Sequence, residues 1–440
     1  MFSKNDREWK RVVLRLKYIN ALCLVLPVLF FTVRCHIYAV SPSNTKSAVL
    51  VSPYIDEYFE NSFKYFLENF KIYVYKNVIA LDKVYHEIRK IEAAHRNIPP
   101  EWVVTRKTNF PDVQSNGQYA LEFWMKNWIF NSAFQTRKIE QADAYFVDFK
   151  CTSLKNTQRK RFSSQRFVQQ YIRHYVKKLE ERFTHSVGEF NFLNHFYVCS
   201  HDMGAECLRS APRNFISNAI GIINTADFLG HEADAHFWNK YEDIKPAGQS
   251  GLIFNGHRDI TSPPYLKNEN IKNNKTFRQC KYLAMFLGRT EGRVTRGKLF
   301  ELHKNRSDFL FGSAYGQEYV SAFYESKFCL VVRGRTVWTR RFTEVFQYNC
   351  IPVIISDGYL PPFSNVFDWT SFSLRIAESD ISKLPQILEN VSEKKWYKMQ
   401  SQMDIVKHHF LYNDPPKIGD AFYIALYEIW LKVRKFRRSV

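Results

Sequence analysis

The sequence predicts an α/β protein with two domains, each built on a parallel β-sheet. Two blocks of the 440-residue chain alternate predicted strands with predicted helices. The strands are short, nearly continuous apolar runs, as in parallel sheets whose two faces are both buried. A segment rich in Pro, Gly and Asn, residues 245–274, separates the two blocks. Repeated strand–helix units favour a doubly wound sheet in each block.

The first block contains three predicted strands and two predicted helices. The strands are Lys71–Tyr75, Ala144–Phe149 and Phe196–Cys199, all apolar, aromatic or β-branched. The helices are Tyr119–Phe134 and Phe167–Phe183, the second with apolar residues on one face and Arg and Lys on the other.

The second block also alternates strands and helices, with shorter connections between them. Predicted strands are Tyr282–Leu287, Lys327–Val332 and Ile351–Ile355, and predicted helices are Thr295–His303 and Thr339–Gln347. No internal repeat interrupts either block, so the two sheets belong to two domains rather than to a repeat array.

The chain is strongly basic. It has 63 Lys and Arg against 43 Asp and Glu, a formal net charge of +20, while 45% hydrophobic residues exclude disorder as a description of the whole. An excess of this size favours an anionic partner, such as nucleic acid, a phosphate-bearing small molecule, an acidic polysaccharide or lipid headgroups.

The N-terminus predicts a membrane anchor. Residues 1–17 are basic, and residues 18–40 are mostly apolar with Arg34 inside the run. We expect an uncleaved signal anchor at 18–40 with its basic end in the cytosol. A cleaved signal peptide and a soluble core helix are the alternatives, but no clean cleavage site follows. Residues 41–69 are then a stem.

Two features agree with a lumenal body. N-glycosylation sequons begin at Asn274, Asn305 and Asn390, and six of the eight cysteines lie beyond the apolar segment. No Cys-x-x-Cys pair is present, which disfavours zinc and thioredoxin-like roles. A lumenal body also disfavours nucleic acid as the anionic partner.

One segment imitates a nucleotide-triphosphate loop. Gly292–Leu299 follows a predicted strand and opens a helix, but Leu299 stands where a magnesium-binding Ser or Thr is needed. The milder hypothesis is an anion site at this helix N-terminus, shaped by Gly288, Arg289 and Arg296. The alternative is a Gly-rich turn with solvated arginines.

The sequence predicts no metal site. His231 and His236 are five residues apart and so lie on different faces of a helix, which favours a polar surface loop over zinc ligation. The chain also has no Asp-x-Asp pair, which many sugar transferases use to hold a divalent ion. Neutralisation of an anion by Arg, Lys and helix N-termini is expected instead.

The densest signal is the segment Ser326–Phe363. A buried strand ends in an Arg-Gly turn that leads into a helix, and a second strand after it ends in a Ser-Asp pair. Ligands of open α/β sheets bind at such carboxyl ends. The polar residues placed there are Arg333, Gly334, Thr339 as the expected helix cap, Arg341, Glu344, Ser356 and Asp357.

At these residues the sequence resembles the exostosin-like glycosyltransferases, family 47, and specifically plant cell-wall members. The matching strings are Ser-Lys-Phe-Cys-Leu, Arg-Gly, Thr-x-Arg-x-x-Glu, Cys-Ile-Pro-Val-Ile-Ile-Ser-Asp and Leu-Pro-Pro-Phe. Upstream, Tyr119, Glu122 and the string Ser200–Gly204 also agree. The resemblance covers roughly residues 70–432. The chain departs from the family pattern at Asp148, Arg340 and Asn349, and only loosely keeps it around Asp243.

The resemblance implies a single-pass type II Golgi membrane protein with the GT-B fold, two Rossmann-like domains facing across a cleft. Its implied activity is inverting, metal-independent transfer of a sugar from a nucleotide diphosphate donor to a pectin- or hemicellulose-type polysaccharide, with no cofactor. Complexes with other Golgi glycosyltransferases are a possible setting. The expected organisation is an acceptor domain at 70–250, a linker at 251–274, a nucleotide-sugar domain at 275–395 and closing helices at 396–440.

Within this picture, Arg296, Arg333 and Arg341 are the expected ligands of the departing diphosphate, with Glu344 on the ribose. His201 or Asp202 is the expected base for the acceptor hydroxyl, with Glu122 in reserve. The alternative for the His-Asp pair is a turn cap. The alternative for the whole chain is a non-catalytic relative, a scaffold or polysaccharide-binding subunit of a Golgi synthase complex.

The last expectation concerns Cys329 and Cys350. Both lie near the starts of predicted neighbouring strands, and such strands are about 4.8 Å apart. This spacing is within the reach of a disulfide. We expect a bridge beneath the donor site, the alternative being two buried thiols.

Overall fold

The structure is a computed structural model that describes residues 57–75, 117–152, 165–187, 191–202, 204–208, 211–227, 254–268 and 279–439. The expected anchor at 18–40, the sequon at Asn274, and His231 and His236 lie outside these residues. In the described part of the chain, no helix is both long enough and apolar enough to span a bilayer.

The N-terminal half is built on a six-stranded parallel sheet. Its strands, in the spatial order β2-β1-β3-β4-β5-β6, pair without an antiparallel neighbour. The middle strands are fully buried, which explains their continuous apolar sequences. The bounds are β1 Ile72–Val74, β2 Gln135–Thr136, β3 Ala144–Phe146, β4 His195–Cys199, β5 Ile220–Ile223 and β6 Ile260–Thr261.

Four described helices accompany this sheet. They are α1 Glu57–Asn69, α2 Leu121–Phe130, α3 Gln165–Val187 and α4 Arg213–Asn218. Short 3₁₀ turns occupy Ile139–Gln141 and Gly204–Leu208. The helix expected at Tyr119–Phe134 is therefore shorter than predicted, while the one expected at Phe167–Phe183 is longer.

The C-terminal half is built on a five-stranded parallel sheet with the order β11-β10-β9-β7-β8. Its strands are β7 Tyr282–Leu287, β8 Phe309–Gly312, β9 Ser326–Val332, β10 Ile351–Ile355 and β11 Leu374–Arg375. The three strands predicted in this block are all present, and β7 and β10 have the predicted bounds.

The helices of this half connect the strands and then close the fold. They are α5 Val294–His303, α6 Gly316–Glu325, α7 Arg341–Gln347, α8 Leu384–Glu389, α9 Glu393–Val406 and α10 Ala421–Ser439. The 3₁₀ turns are Trp369–Ser371, Glu378–Lys383 and Lys407–Phe410. Two parallel α/β sheets therefore confirm the predicted fold class.

The expected domain limits need two changes. Strand β6, inside the segment expected to be a linker at 251–274, pairs with β5 and is the edge of the N-terminal sheet. Helix α1 lies inside the expected stem at 41–69 and is part of the folded body. Its Phe59, Phe63 and Phe66 pack against Tyr427 of α10, with ring centroids 5.4–5.5 Å apart.

The described residues include one disulfide in each half. Cys329 and Cys350 form the expected bridge, with a Cα–Cα distance of 5.9 Å. It links β9 to the residue before β10. Cys151 and Cys199, which the sequence did not pair, are bridged just after β3 and at the end of β4, with a Cα–Cα distance of 5.2 Å. Cys280 remains a thiol.

Asn349, which precedes the second bridge, explains one departure from the family pattern. Its φ of 51° is in the left-handed region. Glycine adopts this region most easily, and Asn is among the few other residues that enter it routinely. The substitution of Asn for the family's Gly is therefore compatible with the turn.

The loops at the carboxyl ends of the two sheets contact each other. Tyr359, after β10, donates from its hydroxyl to the carbonyl of Asn224, after β5, at 3.1 Å. Leu360 N–H donates to the Ala226 carbonyl, and Phe363 N–H to the Thr261 carbonyl. Both carboxyl edges therefore face the same boundary between the halves.

Candidate active site

Arg296 is held against the end of β9. It lies on the first turn of α5, and its guanidinium donates to the carbonyls of Val332 (3.0 and 3.3 Å) and Arg333 (2.9 Å). Burial, with Arg341 and Arg293 nearby, lowers the pKa of Arg296 to about 10. The side chain is still cationic at neutral pH, and neutral carbonyls orient it without cancelling its charge.

Arg341 begins α7 and is buried beside Arg296. Its guanidinium donates to the carbonyls of Leu287 and Leu330 and to the Tyr319 hydroxyl at 3.1 Å. The ring of Phe286 lies 4.9 Å from the Arg341 guanidinium carbon and 5.3 Å from that of Arg296. Two of the three predicted arginines thus share one aromatic face at the carboxyl edge.

Arg333 completes the group and has a carboxylate partner. Its Nη1 lies 3.4 Å from Oε1 of Glu378, which follows β11. Glu378 also accepts from the Thr295 hydroxyl at 2.6 Å and from the Asp357 N–H at 3.0 Å. In return the Asp357 carboxylate accepts from the Glu378 N–H. This exchange ties the β10 and β11 ends to the start of α5.

Glu344 lies on the first turn of α7, next to Arg341. Its Oε2 accepts from the Tyr319 hydroxyl at 2.7 Å and lies 4.0 Å from Arg341 Nε. Its Oε1 lies 3.5 Å from the exposed Arg340. A buried carboxylate at this helix start, beside the cations, suits a neutral hydroxyl ligand better than a second anion.

The remaining predicted donor residues have supporting positions. Gly334 leaves room for the Arg296 guanidinium, since an added Cβ would lie 3.3 Å from it, and at Gly288 an added Cβ would lie 3.3 Å from the Phe286 ring. Ser356 donates to the Val337 carbonyl at 2.8 Å and so fixes the loop after β9. Arg289 is exposed, and only its carbonyl contacts Arg296, at 3.4 Å.

Thr339, the expected cap, lies at the start of helix α7, and its capping contact is long. Helix α7 begins at Arg341, with Arg340 as the preceding residue and no side-chain capping bond. The Thr339 hydroxyl only approaches the Arg341 N–H at 3.5 Å, the long limit of a hydrogen bond. Because Arg340 already has helical φ and ψ, the turn begins before Arg341, and Thr339 is the residue whose hydroxyl reaches the N–H two positions on.

Glu122 lies at the carboxyl edge of the other sheet, and its carboxylate is buried. It accepts from the N–H and hydroxyl of Thr152, after β3, and from the N–H and hydroxyl of Ser200, after β4. Burial raises the pKa of Glu122 to about 7, although these bonds act in the opposite direction. This arrangement joins α2 to two strand ends and leaves little room for an acceptor sugar.

His201 and Asp202 follow Ser200 directly. His201 Nδ1 lies 3.0 Å from Asp202 Oδ1, with His201 buried and Asp202 30% exposed. The ring of Tyr119 stacks on the His201 ring, with centroids 5.0 Å apart. The Thr225 hydroxyl donates to the carbonyls of both residues, at 3.3 and 3.1 Å, and holds them at the edge. A carboxylate on one nitrogen orients the imidazole, as in a general base.

Sequence reasoning gave no role to three residues of the site. Glu378 follows β11, a strand of only two residues that no apolar run marks in the sequence. The sequence therefore did not indicate that Glu378 lies at the carboxyl end of a strand. Tyr319 lies on α6 outside any motif, yet joins Arg341 to Glu344. Trp338 was noted only as part of the motif. It contacts Tyr119 across the boundary, with centroids 6.2 Å apart.

The described residues contain no cluster of three or more His, Cys, Asp or Glu side chains that could hold a metal ion.

The exostosin GT47 domain matches residues 67–391 of the chain. The chain belongs to the exostosin GT47 family of glycosyltransferase domains. The match contains both sheets and every predicted donor-binding residue.

Plant proteins are among the similar sequences. A "Probable glycosyltransferase" of Arabidopsis thaliana is 25% identical over 324 residues, covering 71% of this chain and 64% of that protein. A "Probable glucuronoxylan glucuronosyltransferase" of the same plant is 26% identical over 267 residues, covering 56% of this chain and 54% of that protein. The chain therefore matches between half and two thirds of each relative's length.

A solved structure, the glycotransferase of kitacinnamycin, covers 72% of this chain and 95% of its own with 8% identity and a TM-score of 0.31. So loose a likeness carries no argument about the site.

Proposed function

We propose that this protein is a glycosyltransferase that binds a nucleotide diphosphate sugar at the carboxyl edge of its C-terminal sheet, in a GT-B arrangement. One observation carries the proposal: Arg296, Arg333 and Arg341 converge at that edge, within a domain of the exostosin GT47 family. Planar guanidinium groups bind phosphate oxygens with two parallel hydrogen bonds, so they suit a diphosphate.

The three arginines support the departure of the diphosphate. As the bond between the sugar and the phosphate oxygen breaks, negative charge grows on the leaving group. Arg296 and Arg341 are already oriented by backbone carbonyls, so they need little rearrangement at that moment. Glu344 would accept from ribose hydroxyls beside them.

His201 is the proposed base, with Asp202 orienting it. The acceptor hydroxyl gives its proton to the imidazole while its oxygen attacks the anomeric carbon from the face opposite the diphosphate, which inverts the configuration. Glu122 is less suited because both of its oxygens accept bonds from Thr152 and Ser200. It remains the reserve.

The proposed acceptor is a cell-wall type polysaccharide, a pectin or a hemicellulose. Relatives named glucuronoxylan glucuronosyltransferases support this class and put UDP-glucuronic acid first among donors to try. The net charge of +20 also suits an acidic polysaccharide.

We place the protein in the Golgi membrane with residues 18–40 as a type II anchor and the catalytic body in the lumen. Two disulfides support an oxidising compartment. The sequon residues Asn305 and Asn390 are exposed, as glycan attachment requires. Glycosidase sensitivity of the protein from sealed Golgi vesicles tests the topology, and co-purification tests for complexes with other Golgi glycosyltransferases.

The direct test is release of nucleoside diphosphate by the full-length protein in detergent, with a panel of UDP-sugars and pectin or xylan acceptors. We expect turnover with one donor, an inverted product by NMR, and full activity in the presence of a chelator. Complete loss with chelator, restored by manganese, would contradict the metal-independent mechanism.

A scaffold or polysaccharide-binding subunit is the second candidate. The hydrogen bonds of Arg296 and Arg341 to backbone carbonyls favour it, because a purely structural arginine makes the same contacts. Polysaccharide binding without donor binding or turnover would select this function.

A further inference from the structure

Trp338 occupies the loop between β9 and α7, the same loop that contains Arg333 and Gly334. Its neighbour Val337 is fixed by the bond from Ser356, so the loop is anchored to the end of β10. The Trp338 side chain itself is buried, with only 6% of its surface exposed.

The indole N–H of Trp338 is buried and donates to no acceptor among the described residues. Buried indole N–H groups usually have a partner, and one left without costs stability. Trp396 shows the ordinary arrangement in this chain: it is fully buried, and its N–H donates to the Lys327 carbonyl at 3.1 Å. The difference indicates that the partner of the Trp338 N–H lies outside the described residues, and a bound ligand is one such partner.

The surroundings of Trp338 indicate what that partner is. On one side, along the loop itself, are Arg333 and Arg341, two of the arginines proposed to bind the diphosphate. On the other is Tyr119, 6.2 Å away, which stacks on His201, the proposed base. A transferred sugar is bonded to the diphosphate and attacked by the hydroxyl that the base activates. It must therefore lie between these two groups.

We propose that Trp338 is a specificity-determining residue that contacts the transferred sugar, its indole N–H donating to an oxygen of that sugar. The inference rests on the function proposed above and adds the residue that recognises the sugar rather than the diphosphate. Because the indole has little exposed surface, the proposal requires the Tyr119 ring to move aside when the sugar binds.

The test compares Trp338→Phe, which keeps an aromatic ring but removes the N–H, with Trp396→Phe as the matched control. Steady-state constants are measured with UDP-sugars and full-length protein, and UDP alone is the probe for the diphosphate site. We expect Trp338→Phe to lower kcat/KM for the preferred UDP-sugar by about 10-fold, the value of one hydrogen bond. The inhibition constant of UDP should change less than about twofold.

Thermal stability gives a second readout. Both substitutions shrink a buried ring, but only Trp396→Phe also breaks a satisfied hydrogen bond, so it should lower the Tm more than Trp338→Phe does, without changing kcat/KM. If the wild-type protein binds a UDP-sugar and Trp338→Phe binds and turns it over equally well, the inference about Trp338 is wrong while the proposed function stands. Equal weakening of UDP and UDP-sugar also overturns it. If wild type binds no UDP-sugar, the proposed function and the inference fail together.

Discussion

The carboxyl edges of the two sheets are built in opposite ways. At the C-terminal sheet, buried cations are held mainly by neutral carbonyls, as Arg296 and Arg341 show. At the N-terminal sheet, a buried anion, Glu122, is saturated by N–H and hydroxyl donors from Thr152 and Ser200.

The difference shows which edge is prepared for a charged ligand. A cation that donates to neutral carbonyls keeps its full positive charge and can still attract an anion. A carboxylate that already accepts several hydrogen bonds mainly stabilises the folded structure. In the proposed function, the stacked rings of Tyr119 and His201 at the N-terminal edge are the groups nearest to the acceptor hydroxyl. In that proposal, one edge binds the leaving group, and the other faces the nucleophile.

The largest expected effect is the loss of stability when the disulfide of either half is removed. Replacing Cys151 and Cys199 together by Ala should lower the free energy of unfolding by about 4 kcal/mol, and replacing Cys329 and Cys350 by about 3 kcal/mol. The reason is that the first bridge closes a longer loop, with sequence separations of 48 and 21. Denaturant unfolding measures both losses.

The control for the disulfides is Cys280→Ala, which breaks no bridge. Peptide mapping without reductant should find Cys280 alkylated and the four bridged cysteines protected. Alkylation of Cys329 or Cys350 in the untreated protein would show that the C-terminal bridge is absent.

The next effect tests the N-terminal edge. His201→Ala should lower kcat by about 100-fold or more, as loss of a general base does, while UDP binding stays the same. Asp202→Asn should cost less and change the pH dependence of kcat. His257→Ala, an exposed histidine of the same half, is the control. Turnover of His201→Ala within twofold of wild type would remove His201 from the chemistry.

The C-terminal edge is tested by Arg341→Lys and Arg341→Ala. Loss of a charge-assisted bond to the diphosphate should cost on the order of 2 kcal/mol, or about 30-fold in kcat/KM, with weaker UDP binding. Lys304→Ala removes the same charge from an exposed position at the end of α5 and should have no such effect. Unchanged kinetics with Arg341→Ala would place the donor elsewhere.

The smallest effect concerns Glu122 and pH. Its pKa in the folded protein, about 7, lies above the ordinary 4.5, so the folded state keeps a proton that the unfolded chain releases between these values. Stability should therefore be greatest below pH 4.5 with respect to this group and fall as pH rises to about 7. Glu122→Gln should flatten part of this fall.

Unfolding free energies at pH 5 and pH 8 measure that slope, with Glu318→Gln as an exposed control. Part of the slope will persist in Glu122→Gln, because burial raises the pKa of Glu428 to about 7 as well. An unchanged slope would mean that the carboxylate of Glu122 stays ionised when buried.

The sequence predicted a strand correctly where an apolar run of about five residues or more marks the strand without help from its neighbours. β7 and β10 have five or six such residues and their ends were correct. β2, β6 and β11 have two residues each and pair only because longer neighbours hold them, so no local pattern marks them.

The same distinction applies to the site. Arg333 and Arg341 were predicted because they belong to a motif on one strand–helix unit. Glu378 and Tyr319 reach the site from other elements, and only the folded sheet order brings them beside those arginines. Local sequence therefore indicates the residues of one loop, while the contacts between loops require the tertiary structure.

The packing of α10 has a consequence for synthesis of the chain. The helix comes last, yet Tyr427 contacts α1 and Lys432 donates to the His257 carbonyl beside β6, both in the N-terminal half. As the chain leaves the ribosome, all strands of the N-terminal sheet are synthesised long before α10, the helix that packs against α1 and beside β6. The apolar surface that α10 contacts therefore stays exposed while the whole C-terminal half is synthesised, and we expect chaperones to bind this intermediate. A stop codon before residue 421 should leave that surface exposed and make the truncated protein prone to aggregation.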